Sequence, residues 1–336
     1  MLNVKFSDIA TFSYGKMPNK NLVLENGKYP IFSGYQITGH YDTYNSDADE
    51  LVLIARGVGG TGEIRKTPSR CWLTNLSIKI SLFSKNVLKD YLFYKFQAKD
   101  LRWLNSGSAQ PQITISDLSA IDLSLPSLEE QRHIVDTIGS VDDLIEIEQL
   151  KADKLNSFGQ SYYDEFFAKN ELIKPGKEIK FIKGKQPMFD DGCDAEPYLT
   201  IDALSSGNIS QRATSGIKCT KNNLLMVMDG ASSGKLFLGC DGYVGSTLAI
   251  VSCPKIETPI LYFGLKKFQN EIMSHTTGSA IPHADRNYVG EMLFANITLE
   301  SQSLLFNRII QTLSNYRERI RLLKKLKNTL LRKYFQ

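Results

Sequence analysis

Two halves of this chain repeat one another, and that constrains its fold more than any other feature. Phe12-Ser13-Tyr14-Gly15-Lys16-Met17-Pro18 returns as Phe181-Ile182-Lys183-Gly184-Lys185-Gln186-Pro187. Pro30-Ile31-Phe32-Ser33 resembles Pro197-Tyr198-Leu199-Thr200. The apolar run from Leu51 to Ala55 leads into Arg56-Gly57-Val58-Gly59-Gly60-Thr61-Gly62, and that from Leu224 to Met228 into Asp229-Gly230-Ala231-Ser232-Ser233-Gly234. Gly107-Ser108-Ala109-Gln110-Pro111-Gln112 is matched by Gly278-Ser279-Ala280-Ile281-Pro282-His283. Leu128-Glu129-Glu130-Gln131 is matched by Leu299-Glu300-Ser301-Gln302, and Tyr163 by Tyr334. The matches keep their order and their offsets drift only between 167 and 173 residues, as a tandem duplication requires. Two copies of so long a unit are too few for a solenoid, so the expectation is two-fold pseudo-symmetry.

Each unit reads as one compact domain followed by a long helix. Pro126-Ser127-Leu128-Glu129-Glu130 is a helix start, with Ser127 as N-cap and Glu130 three residues on. Apolar residues then recur at Ile134, Ile138, Val141, Ile145, Ala152, Leu155, Tyr162 and Phe166, close to a 3,4 spacing that Glu148 and Gly159 interrupt. No proline follows until Pro175, and a helix of roughly 40 residues is about 60 Å long. The second helix, expected from Thr298, carries Ile309, Leu313, Tyr316, Ile320, Leu323 and Leu330. Residues 126–170 hold 4 basic and 10 acidic side chains, net −6, whereas residues 297–336 hold 9 and 2, net +7. Opposite charge and similar length predict that the two helices pair, with the domains at opposite ends of a rod. The alternative is that each packs on its own domain.

Residues 1–125 and 171–296 are of mixed α+β character. Leu51–Ile54 and Leu224–Val227 read as buried strands ending at glycine turns, and 89–104 and 258–275 as short helices. The glycine-rich loops admit three readings. They are tight turns within a β-domain, backbone contacts to nucleic-acid phosphates, or a cofactor cradle. The second copy drops the Lys-Ser/Thr of a P-loop, which weakens the last. Lys16, Arg56, Arg65, Lys66 and Arg70 sit on or near loops of the first domain, and Lys183, Lys185, Lys235 and Arg286 on the second. Such cations supply affinity for phosphates, and Arg or Gln side chains can read base edges. Gln110, Gln112, Ser232, Ser233 and His283 join them as candidate DNA contacts. Each basic residue taken alone reads first as a solvated surface charge and only second as a DNA contact.

Other classes find little support. A net charge of +4 is too mild to announce a nucleic-acid binder by itself. No run of eighteen apolar residues occurs, so no membrane partner is expected, and Met1–Phe6 lacks the apolar core of a signal peptide. The five cysteines are scattered and never form C-x-x-C, which points to reduced thiols, a cytoplasmic location and no metal site. No catalytic residues are nominated. There is no Asn/Asp-Pro-Pro-Tyr/Phe motif for amino-methyl transfer, and Glu178-Ile179-Lys180 lacks the Pro-Asp partner of an E-x-K nuclease. Two rival readings stay open: a stand-alone or architectural DNA-binding protein, and an enzyme that holds a nucleotide in the glycine-rich loops.

Leu125-Pro126-Ser127-Leu128-Glu129-Glu130-Gln131-Arg132-His133-Ile134-Val135 resembles the helix start of the specificity subunits of type I restriction–modification systems. Gly107-Ser108-Ala109-Gln110-Pro111 and the Gly-Lys-x-Pro segments at 15–18 and 184–187 are similar to other parts of that family. The resemblance implies an α+β chain with two pseudo-symmetric target-recognition domains, 1–125 and 171–296. Long antiparallel coiled-coil helices, 126–170 and 297–336, would join them. It implies a non-catalytic chain in which each domain reads half of a bipartite site in double-stranded DNA. The helices would measure the spacer and dock two methyltransferase subunits, which restriction–translocase subunits can join. S-adenosylmethionine, ATP and Mg would belong to those partners, and this chain would carry no cofactor. The residues expected to pair the helices or dock the methyltransferase are Gln131, Ile134, Ile138, Val141, Ile145, Leu155 and Tyr162. Their counterparts are Gln302, Ile309, Leu313, Tyr316, Ile320, Leu323 and Leu330. The second helix start lacks the second Glu and the preceding Pro, so the two helices present unequal starts.

Overall fold

The computed structural model describes residues 1–57, 60–105, 111–190, 192–278, 281–297 and 300–336, with Ser301 by its backbone alone. Gln110 and the expected helix start at Thr298 therefore lie outside the described residues. The chain divides into two compact units, Met1–Asp143 with Lys325–Gln336, and Leu144–Lys324. Both divisions fall inside a long helix, one running Leu128–Lys169 and the other Glu300–Phe335.

In the first unit a four-stranded antiparallel sheet is ordered Ala10–Tyr14, Ser77–Leu82, Leu51–Ile54, Ile64–Lys66. The Leu51–Ile54 strand is buried on both faces, which explains why its sequence is continuously apolar and does not alternate. A smaller sheet pairs Tyr29–Phe32 antiparallel with Ile37–Tyr41 and parallel with Trp72–Leu73. The second unit repeats this plan. Its larger sheet is ordered Lys180–Lys183, Leu248–Ser252, Leu224–Val227, Leu236–Leu238, and in its smaller one Glu196–Leu199 runs parallel to Gly242–Val244. The register agrees residue for residue. Phe12 and Leu51 flank Ile80 in the first sheet, and Phe181 and Leu224 flank Val251 in the second. The fold is thus α+β, duplicated, with two β-rich domains and two long helices.

The helices pair within each unit, and they run antiparallel. In the first unit His133 meets Tyr334 ring to ring, and Asp142 lies 2.7 Å from Lys327. In the second Tyr162 packs on Phe306, and Glu148 lies 3.6 Å from Arg319. Ile134, Ile138, Val141, Ile309, Leu313 and Ile320 are buried, while Ile145, Leu155, Tyr162, Tyr316, Leu323 and Leu330 are half-buried. At the far end it is Leu331, next to the expected Leu330, that enters the first domain's core.

Each domain core is completed by helix residues. Ile134, Ile138 and Leu331 join Phe6, Leu53, Ile78 and Leu92. Tyr163, Phe306, Ile309 and Leu313 join Leu224, Val251 and Phe263. The helix start is fastened to the first domain by Gln131, which is fully buried. Its Oε1 accepts from Leu88 N at 2.9 Å, and its Nε2 donates to the carbonyls of Asn86 and Pro126 at 3.0 Å. Ser127 Oγ accepts from Glu130 N, as the N-cap pattern requires.

The two interruptions in the apolar spacing have separate reasons. Gly159 lies against the fully buried Phe263, and a Cβ there would stand 2.4 Å from its ring. Glu148 is buried but ion-paired with Lys151 at 2.9 Å and with Arg319. The Lys151 hydrogen bond outweighs the cost of burial and, with Arg319, holds the carboxyl below the usual carboxylate range.

Gly→Ala in a helix interior gains about 1 kcal/mol of propensity, whereas overpacking a core costs roughly 1–3 kcal/mol. Gly159→Ala should therefore destabilise the protein. Gly139→Ala, whose nearest neighbour is the Tyr94 hydroxyl at 3.7 Å, should stabilise it by up to about 1 kcal/mol. Denaturant titration of the two variants checks the opposite signs. Because the Glu148 pKa is depressed in the fold, its contribution is complete above the unfolded value of about 4.3 and is lost as pH falls through the folded value. Between pH 5 and 3 the wild-type thermal midpoint should fall further than that of Glu148→Gln, and parallel curves would refute the linkage.

Candidate nucleic-acid interface

In both domains the chain after the first strand of the larger sheet is pinned by a glycine. A Cβ on Gly15 would stand 2.2 Å from the Thr74 carbonyl oxygen, and one on Gly184 2.3 Å from those of Val244 and Gly245. No larger residue fits at either place, which accounts for the repeated Gly-Lys-x-Pro. Lys16 N donates to Leu73 O and the Trp72 indole donates to Lys16 O, so the backbone is held while the Lys16 side chain remains exposed. Lys185 is likewise exposed. Met17, next to Lys16 in the chain, and Met188, three residues after Lys185, are 69% and 77% exposed.

Next to this segment the glycine-rich loop meets the residue before the following turn. In the first domain Arg56 forms an isolated β-bridge with Gln112, backed by Ile113 N donating to Ala55 O at 2.9 Å. The Arg56 guanidinium lies 5.7 Å from the Tyr14 ring centroid, and its buried Nε has no hydrogen-bond partner among the described residues. Beside it opens a cleft of about 380 Å³ lined in part by Gly57, Thr61, Arg102 and Pro111. In the second domain Asp229 bridges His283 in the same way, with Ala284 N donating to Met228 O at 2.9 Å. The Asp229 carboxylate takes Lys183 Nζ at 2.6 Å on one oxygen and His283 Nδ1 at 2.8 Å on the other. Burial opposes its charge, but the bonds from Lys183 and His283 prevail and hold the carboxyl below its usual range. Arg286 stacks 5.7 Å over Phe181, which shares a strand face with Lys183.

Other nominated residues sit elsewhere or are engaged. Arg65 is paired with Glu63 and Arg70 with Asp47. Lys66 is paired with both Asp49 and Asp90. Burial alone would lower its pKa, and the two aspartates reverse that. Lys235 is half-buried over Phe237, and Ser232 is half-buried. Ser233 is buried, with its hydroxyl within 2.7–3.2 Å of the carbonyls of Gly230, Pro282 and Met228. Thr61 does the same in the first domain, donating to Gly57 O at 2.5 Å. Both loops thus spend their hydroxyls on closing their own turns, around Gly57 and Gly230 at φ +119° and +100°. Tyr14 and Asp229 were missed as candidates, although the repeat aligns Asp229 with Arg56 and Lys183 with Tyr14. Among the described residues no three His, Cys, Asp or Glu side chains could hold a metal ion, and no helix is long and apolar enough to cross a membrane.

Residues 2–157 match the model of the family described as the type I restriction modification DNA specificity domain. The MjaVIII type I restriction enzyme specificity subunit of Methanocaldococcus jannaschii is 28% identical over 179 residues, which cover 49% of this chain and 41% of that one. A provisionally named type I specificity subunit of Mycoplasma genitalium is 22% identical over 349 aligned positions, 96% of this chain and 90% of its own. The crystal structure of a type I restriction–modification S subunit from M. genitalium superposes with a TM-score of 0.64 at 18% identity, over all of this chain and 96% of that one. At that identity the superposition speaks for the fold alone.

The loop geometry yields a prediction about Ser233. Removing a buried hydroxyl that closes a turn costs about 1–2 kcal/mol. Ser233→Ala should lower the thermal midpoint by several degrees in the absence of any DNA. An unchanged midpoint would mean that the hydroxyl does not hold the loop.

Proposed function

We propose that this chain is a member of the type I restriction–modification DNA specificity family and binds a bipartite target in double-stranded DNA, each domain reading one half. It performs no chemistry itself and directs methyltransferase subunits to the site. The observation that carries this reading is the duplication: one scaffold twice, with the same mouth of sheet end, glycine-rich loop and bridging residue, but with different side chains in it. Two readers of different sequences need that combination. Lys16, Lys185 and Arg286 are exposed beside those mouths and suit phosphate contact. The functional divisions follow the same plan, with recognition domains at 1–125 and 171–296 and helices at 126–170 and 297–336. The helices set the spacer between half-sites. S-adenosylmethionine, ATP and Mg belong to the partners, which include restriction–translocase subunits, and the complex works in the cytoplasm.

The central helix supports a partner. Leu144, Ile147, Leu150 and Phe158 are each about half exposed. At 100° per residue they fall on a stripe centred roughly 125° round the helix from the buried Ala152 and Gly159. An apolar stripe left in water on a helix whose other face is already paired favours docking over a stand-alone DNA-binding protein.

Two measurements test the proposal. The purified chain should neither methylate nor cut DNA, yet confer sequence-specific methylation once the methyltransferase of its host is added. Exchange of residues 1–125 for another such domain should change one half-site only. Methylation by the chain alone would end this reading. Each buried Leu or Ile is worth about 1.5–3 kcal/mol, so Leu144→Asp with Ile147→Asp should weaken capture of the methyltransferase at least about tenfold. The melting temperature should stay within a degree or two, since both side chains are exposed in the free chain.

A further inference from the structure

We infer that three equivalent positions decide one base pair in each half-site. They are Tyr14, Arg56 and Gln112 in the first domain, and Lys183, Asp229 and His283 in the second. This rests on the DNA-reading function proposed above and names where the reading is done.

The backbone at these positions is the same in both domains. The second residue forms a β-bridge with the third, and a backbone hydrogen bond of 2.9 Å locks the next pair. The first residue stands at the end of the sheet's edge strand, one strand removed, and its side chain reaches the second, as a ring near a guanidinium in one domain and an ammonium on a carboxylate in the other. All three positions are at least partly open to solvent. A duplicated scaffold that keeps its main chain and inverts its charge has kept a place and changed its chemistry.

The two chemistries differ in what they offer a base edge. Arg56 carries a donor fork near the Tyr14 ring, with a buried Nε unpartnered among the described residues, and Gln112 stands opposite it across the β-bridge. A donor fork suits the two acceptors of guanine in the major groove. In the second domain both Asp229 oxygens are already taken, so the carboxylate acts by orienting its neighbours. It accepts a hydrogen bond from His283 Nδ1, the tautomer in which Nε2 is the acceptor, and it holds Lys183 as a donor close by. A donor and an acceptor side by side suit adenine, which presents N7 and N6–H₂ together. Asp229 is a positioning residue, and Arg56, Lys183 and His283 are the readers.

The test uses the full chain in complex with its methyltransferase, assayed on duplexes substituted one base pair at a time and by methylome sequencing. Arg56→Lys keeps the charge and loses the fork. It should relax discrimination about tenfold to a hundredfold at one base pair of one half-site and leave the other half-site untouched. His283→Phe should do the same in the opposite half-site. The combined Tyr14→Lys, Arg56→Asp and Gln112→His exchange should move that first base pair from guanine towards adenine. The two single variants stand as the decisive result if the triple one fails to fold. A uniform loss of affinity on every duplex would make these residues phosphate contacts and overturn the inference, as would unchanged specificity. Failure of the wild-type complex to select any sequence would instead overturn the DNA-reading function itself.

Discussion

Neither domain can close its core from its own stretch of sequence, and the rest of the structure depends on that. The first sheet is covered in part by Ile134, Ile138 and Leu331, and the second by Tyr163, Phe306, Ile309 and Leu313. A sheet with an apolar face must bury it against another layer, and here the layer is a pair of helices drawn from two distant segments. The helices are therefore part of each domain and no mere tether. Gln131 makes the attachment specific, because its buried amide is satisfied only when the helix start sits against Leu88 and Asn86. Charge sets the pairing direction: acids on the central helix at Asp142 and Glu148 meet bases on the C-terminal helix at Lys327 and Arg319.

Holding the scaffold fixed in this way leaves the mouths free to vary. Gly15 and Gly184 are confined by backbone contacts that forbid any side chain, and Thr61 and Ser233 lock the glycine-rich turns from inside. At the mouths the copies differ at partly open positions, Tyr14 against Lys183, Arg56 against Asp229 and Gln112 against His283, where a substitution costs little stability. The mild overall charge of the chain, +4, fits the proposed division, in which a few placed groups select and phosphate contacts only position.

Much of the fold was legible because its signals are periodic. The 3,4 spacing after Ser127 and the fixed offsets of the repeat are properties of the sequence itself, and the helices and the duplicated sheets follow them. The parallel pairing of Tyr29–Phe32 with Trp72–Leu73 was not legible, because strands of two to four residues carry too little pattern to declare a partner forty residues away. The site was less legible than the fold. Arg56, Gln112, Lys183 and His283 stood out by residue type, but Tyr14 and Asp229 matter only through contacts with residues 42 and 46 positions distant. Conversely, Ser233 and Gln131 looked available in the sequence, and three-dimensional hydrogen bonding has spent them in the interior.

The borrowed cover also has a consequence in time. A ribosome delivers residues in order, at about 5–20 per second. The sheet strands and Ile134 emerge early, yet Leu331, Tyr334 and Phe335, which pack on the first core, emerge roughly 200 residues later, after about 10 to 40 seconds. The second unit, Leu144–Lys324, is completely synthesised before that. The part of the chain made first is thus the last to be sealed, and during synthesis its apolar surface waits on the nascent chain for a helix that does not yet exist.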